Sequence, residues 1–341
     1  MNSYERILAV IHQQQPDRLP LMPITMMFAA DQIGVPYGEY VSDYRILAKA
    51  QIETAKRFGF DYVSSISDPA REAADAGAFV HFFDDQPPAV DEGQSLLVDK
   101  ERLKTLDIPD PMRESSRMFD RIQADRFFAE KVKGELFIEG WVEGPCAEAA
   151  DLRGINRLML DFIDDPVFVR QLFEWTTELS ARFAVAQIQA GCDIIGVGDA
   201  AASLVGPKIY RNFVLPYEKQ LVDRIHAAGG RARLHICGNI NRILPDAGSL
   251  GCDMMDIDSM VPLEKARKEC RPLQVLSGNL DPVKVLRSGT PLQIESVLEE
   301  CYRQASQTNY IIAAGCEVPR DTPAENVEAM RHFAEGHPAA E

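Results

Sequence analysis

Eight short apolar runs are spaced along the chain, and nearly every one is followed by a stretch with helical spacing. The runs cover residues 19–25, 60–66, 135–141, 192–197, 232–236, 253–257, 273–277 and 310–314. Strands that alternate with helices pair in parallel, because each helix carries the chain back before the next strand begins. Eight such units predict an α/β protein, a single (β/α)8 TIM barrel over residues 1–341, with a helix over 3–15 as an N-terminal extension. The long helices are expected over 44–58, 113–131, 148–189 (in two stretches), 208–228, 240–249, 291–307 and 323–335. Residues 81–111 carry Pro87-Pro88 and many charges, and read as a hairpin or insertion. A doubly wound open sheet has the same alternation, but no Gly-x-Gly-x-x-Gly turn follows any run.

In a barrel of this kind the chemistry sits at the C-terminal ends of the strands. Those ends carry Asp68, Glu143, Asp199, His235 with Cys237, Asp256 with Asp258, Asn279 and Cys316. His235 and Cys237 are two apart in an extended segment, so an imidazole and a thiol point to one side. Together with Cys316 they form a donor set that suits zinc, and three ligands leave a tetrahedral ion one open position, the pattern of catalytic sites. Two thiolates already weaken the ion as a Lewis acid, so the open position is expected to take a thiol rather than activate water. A bland reading stands beside this one. His-x-Cys also occurs where a free cysteine is buried next to a hydrogen-bonded histidine. A structural zinc closed by Cys146 or a carboxylate is a further alternative.

Asp68 and Asp199 are candidate catalytic carboxylates, with helix capping as the competing role. Cys192, Cys252, Cys270 and Cys301 read as inert core residues. His12, His226, His332 and His337 read as surface residues.

The motif His235-Ile-Cys-Gly-Asn239, with Gly315-Cys316, Pro319 and Thr322-Pro323, resembles the zinc methyltransferases of the uroporphyrinogen decarboxylase superfamily. Glu143-Gly-Pro145, Phe213-Val-Leu-Pro-Tyr217 and Ser277-Gly-Asn-Leu-Asp281 extend the resemblance over essentially the whole chain. It implies a one-domain barrel that moves a methyl group between a corrinoid, carried by a separate small protein, and a small acceptor, a thiol such as coenzyme M. By residue match His235, Cys237 and Cys316 would hold zinc, with Asn239, Asn279 and Glu143 as cofactor-binding candidates. The decarboxylases of the superfamily are the rival, and they need arginines for a polycarboxylate tetrapyrrole. Residues 19–44 contain no lysine or arginine, and Cys316 stands where that branch is expected to have histidine. A non-catalytic barrel that captures a corrinoid or another small molecule is the alternative from a different class.

The net charge of −16 argues against nucleic acid as a partner. No apolar run approaches membrane-spanning length, and the seven scattered cysteines do not read as a disulfide framework. A cytoplasmic protein is expected.

Overall fold

A computed structural model describes residues 1–337. Its centre is a curled, parallel seven-stranded sheet. The strands are β1 (Tyr62–Ser64), β2 (Phe137–Glu143), β3 (Ile194–Gly198), β4 (Ala232–His235), β5 (Met254–Ile257), β6 (Val275–Gly278) and β7 (Tyr310–Ile311), and they lie side by side in chain order. Every residue of β2 is buried, as expected of a strand covered on both faces. Helices connect successive strands. The longest, Pro166–Ala190, starts under an Asp165 cap with proline in its first turn and ends at Gly191. It packs on β2 and on helix Leu215–Ala227.

The run at 19–25 departs from expectation. Only Leu21 makes a strand-like pair, with Ile312. Pro20 and Pro23 have no N–H to donate, so a ladder cannot extend through them. The bonds that do form reach both ways. Met22 N–H donates to the Ile312 carbonyl (2.9 Å), Ile312 N–H to Pro20 (2.9 Å), and Asp61 N–H to Leu21 (3.0 Å).

The expected hairpin within 81–111 is present as the antiparallel pair Val80–His81 and Ala89–Val90, followed by short 3-10 turns. The helix expected over 240–249 shrinks to Leu244–Ala247. The one over 208–228 opens with a single α-helical turn, Pro207–Ile209, widens at Tyr210–Val214, and resumes as regular helix at Leu215, next to Pro216, which again lacks a donor. The N-terminal helix, Ser3–Ile11, is held by a capping box between Asn2 and Glu5. No described helix is long and apolar enough to cross a membrane.

Candidate metal centre and its cavity

β4 places Arg233 and His235 on one side of the sheet, two residues apart. The chain then turns at Gly238, whose φ of +88° suits glycine, and the Gly238 N–H is held by Asp258 (2.8 Å). This turn presents Cys237 next to His235. Cys316 comes from the loop after β7, where Gly315 lies so close to the backbone of Ser259 that an added Cβ would sit 2.4 Å from its nitrogen. Only glycine lets that loop come in so tightly.

His235 Nε2 lies 3.0 Å from Cys237 Sγ, the two sulfurs are 3.6 Å apart, and Cys316 Sγ is 3.9 Å from His235 Nε2. In a tetrahedral zinc site with bonds of ~2.3 Å to sulfur and ~2.0–2.1 Å to nitrogen, ligand atoms stand about 3.6–3.8 Å apart. The two edges that meet at Cys316 are close to those of such a site, and the His235–Cys237 edge, at 3.0 Å, is a hydrogen-bond contact that would have to open to admit the ion. The triangle's donor atoms lie within 4.8 Å of one another.

The imidazole is oriented from behind. Asp256, its cross-strand neighbour on β5, lies 3.0 Å from Nδ1 and directs Nε2 toward the thiols. Arg233 Nε in turn donates to both Asp256 oxygens (2.8 and 3.0 Å), and its Nη1 donates to Glu139 (2.9 Å). Arg233 is fully buried, so this network is sealed from water. Burial opposes a charged His235, but the bond to Asp256 and the nearby Cys316 outweigh it and raise the imidazole to about 10. Cys316 is pulled down to about 4, first by its hydrogen bond with Cys237 and then, against burial, by His235. Cys237 is pushed up by its bond with Cys316 and by burial. One thiolate is therefore already favoured in the triangle.

The three side chains open onto a cavity of about 170 Å³. Ile24, Met26, Ile66 and Trp141 form its apolar wall, and the Trp141 ring centroid lies 6.0 Å from that of His235. Asp68, Glu143 and Glu317 supply its acidic side. A wider cleft of about 510 Å³ adjoins it and shares Pro69, Glu143, Ala200 and Cys237 with it.

The structure brings Asp68, Glu143, His235, Cys237 and Cys316 to this cavity and leaves the other candidates off its lining. Both Asp68 oxygens are taken by Arg117 (2.8 and 2.6 Å); burial works against its charge, but the guanidinium holds it below the usual carboxylate range. Glu143 is pushed well up by burial and by Glu72, with Arg71 3.8 Å away as partial compensation. Asp199 accepts from the N–H groups of Cys146 (3.2 Å) and Ala147 (2.7 Å), which makes it the cap of helix Pro145–Arg153; burial raises it to about 7. Asn239 is exposed and bonds Asn241. Asn279 ties down the loop after β5 through the carbonyls of Asp258 and Val261. Cys146 is fully buried and outside the triangle.

Sequence reasoning missed Asp256 as the partner of His235, along with Arg233, Glu317 and Trp141. The alternation Arg233-x-His235 beside Asp256-x-Asp258 was a usable signal, since equivalent positions on adjacent parallel strands meet. Arg117, on a helix far away in the chain, gave none.

A family model described as uroporphyrinogen decarboxylase matches residues 2–337. The methylcobamide:CoM methyltransferase MtbA of Methanosarcina mazei is 26% identical over 340 residues, covering 98% of this chain and 97% of the relative. The methylcobamide:CoM methyltransferase MtaA of Methanosarcina barkeri is 23% identical over 334 residues, covering 95% of each. A uroporphyrinogen decarboxylase of Synechococcus is 24% identical over 351 residues, 97% of this chain and 94% of that one. Among solved structures, a methyltransferase from Methanosarcina mazei superposes with a TM-score of 0.89 at 22% identity, covering 98% of this chain and 99% of its own.

Proposed function

This chain belongs to the uroporphyrinogen decarboxylase family, and we propose that within it the protein is a corrinoid-dependent methyltransferase with a small thiol as acceptor, the class to which the relatives' coenzyme M belongs. The observation that carries this reading is the His235–Cys237–Cys316 triangle, set at the strand ends beside an apolar cavity. The donor set fits zinc and leaves one position for an incoming sulfur. Zinc held there would keep that sulfur as a thiolate at neutral pH. The methyl group would come from a corrinoid carried by a separate small protein. The bonds of residues 20–22 to Ile312 on one side and Asp61 on the other support closing the sheet into a (β/α)8 barrel, read as one domain over 1–341.

The chain's own residues have distinct tasks in this reading. Asp256, anchored by Arg233, fixes the tautomer of His235 and so the donor nitrogen. Ile24, Met26, Ile66 and Trp141 keep water from the acceptor's sulfur. Asp68 and Glu143 line the acceptor's chamber. Asp199 acts from behind it, by holding the first turn of helix Pro145–Arg153. Asn239, exposed on the turn after β4, would face the incoming corrinoid protein, and Asn279 would act indirectly by tying down the loop after β5.

The decarboxylase reading is disfavoured by the same cavity. No lysine or arginine stands among the described residues that line it, and a polycarboxylate substrate needs such groups. The test is metal content together with methyl transfer. Purified protein should hold about one zinc per chain. Cys237→Ala and Cys316→Ala should each lose the zinc and the demethylation of methylcob(III)alamin in the presence of a thiol. A wild-type protein that turns over with no transition metal bound would sink the proposal.

A further inference from the structure

The acceptor's sulfur has a place in the reading above; the rest of the acceptor must lie in one of two spaces. Cys237 lines both the inner chamber and the wider cleft, so a thiol at the triangle can extend into either. Neither direction offers a positive group: among the described residues no lysine or arginine lines either space. Each direction does offer carboxyls. Asp68 and Glu317 line the chamber, Glu92 and Asp151 line the cleft, and Glu143 lines both.

The cations behind these walls are already engaged. Arg117 gives two hydrogen bonds to Asp68. Arg71, fully buried, lies 3.2 Å from Glu72 and 3.8 Å from Glu143 and also donates to the Asp68 carbonyl. Two more buried carboxyl groups lean on this region. Both oxygens of Glu148 are fully buried with no hydrogen-bond partner, and Glu72 is balanced by the same Arg71 that faces Glu143. Burial first, and then Glu72, hold Glu143 well above the ordinary range, and the same two causes raise Asp151 to about 8, so neither wall supplies a positive partner for an anion.

An anionic head group entering either space would lose its hydration and meet carboxyls with no free counter-charge. We propose that the acceptor is a small thiol whose remaining part is uncharged or cationic, and that the site discriminates against thiols carrying a sulfonate or carboxylate. This inference rests on the thiol-acceptor reading and narrows it. One unmatched unit charge in a partly buried site is expected to weaken binding about tenfold or more.

The test uses the full-length protein loaded with cobalt(II), in which binding of a further thiolate changes the near-ultraviolet charge-transfer and visible ligand-field bands independently of methyl transfer. Four probes of similar size are titrated at one pH: 2-mercaptoethanol, cysteamine, 2-mercaptoethanesulfonate and 3-mercaptopropionate. The neutral and cationic thiols should bind at least about tenfold more tightly than the two anions. A smaller gap, or the reverse order, overturns the inference while leaving the thiol reading intact. If no thiol changes the spectrum, the thiol reading itself fails and takes this inference with it. Ala200→Lys places a cation on an exposed wall common to both spaces. It should improve binding of 2-mercaptoethanesulfonate by about threefold or more without improving that of 2-mercaptoethanol. An equal effect on both probes also counts against the electrostatic account.

Discussion

Asp256 supports the His235–Cys237–Cys316 triangle without belonging to it. It pairs with His235 in the β4–β5 register and is itself clamped by both bonds from Arg233. Asp256→Asn keeps the shape but removes the charge that sets the imidazole's proton on Nδ1. Loss of such an outer partner lowers metal affinity by roughly 10–100-fold. It also leaves Arg233 short of one of its two carboxylates in a dry site, which costs ~3–5 kcal/mol when a buried pair is broken. Competition with a chromophoric chelator and urea denaturation read the two effects separately. A variant with unchanged affinity would remove Asp256 from the account. At this scale the sequence disclosed the candidate donors, which the structure brings together, and hid their supports. A histidine and two cysteines announce soft donors wherever they lie, whereas the role of Asp256 exists only once two strands are in register. Asp68 and Asp199 looked alike as acids at strand ends. Packing separates them, because Asp199 faces the backbone of helix Pro145–Arg153 and Asp68 faces the cavity.

Among the elements, the loop after β7 is the most constrained. Gly315 N–H bonds the Leu280 carbonyl (2.8 Å), and its α-carbon faces the backbone of Ser259. A Gly315→Ala substitution drives a methyl against a rigid neighbour and has to move the loop that carries Cys316. The expected cost is about 1–3 kcal/mol, as for other overpacked sites. It should come with less than one metal per chain, measured by thermal unfolding and elemental analysis; full occupancy at native stability would contradict this. The alternation of apolar runs and helices made seven of the eight expected strands legible, because fully buried parallel strands are continuous apolar stretches. The eighth, at 19–25, looked equally apolar. Its prolines limit it to single rungs, a donor problem that hydrophobicity alone does not register.

For the whole molecule, acidity buried in the core sets how stability depends on pH. Asp125, fully buried on helix Arg117–Val132, is raised to about 7 by burial, with Ser65, Cys192 and Arg121 opposing. In the unfolded chain it ionises near the ordinary value of about 4. Between these limits the folded state holds a proton that the unfolded state has released, so stability falls as pH rises from ~4 to ~7 and then levels off. Asp125→Asn should remove that loss and be more stable than wild type at pH 8 by ~4 kcal/mol, with the two converging near pH 4. Parallel denaturation curves at every pH would contradict it. The order in which the triangle's corners are made has a consequence for synthesis. Cys316 follows Cys237 by 79 residues. A nascent chain on the ribosome therefore exposes an incomplete pair of donors, His235 and Cys237, until β5, β6 and β7 have all been translated. An ion that needs all three donors would therefore be selected by the finished fold rather than by the growing chain.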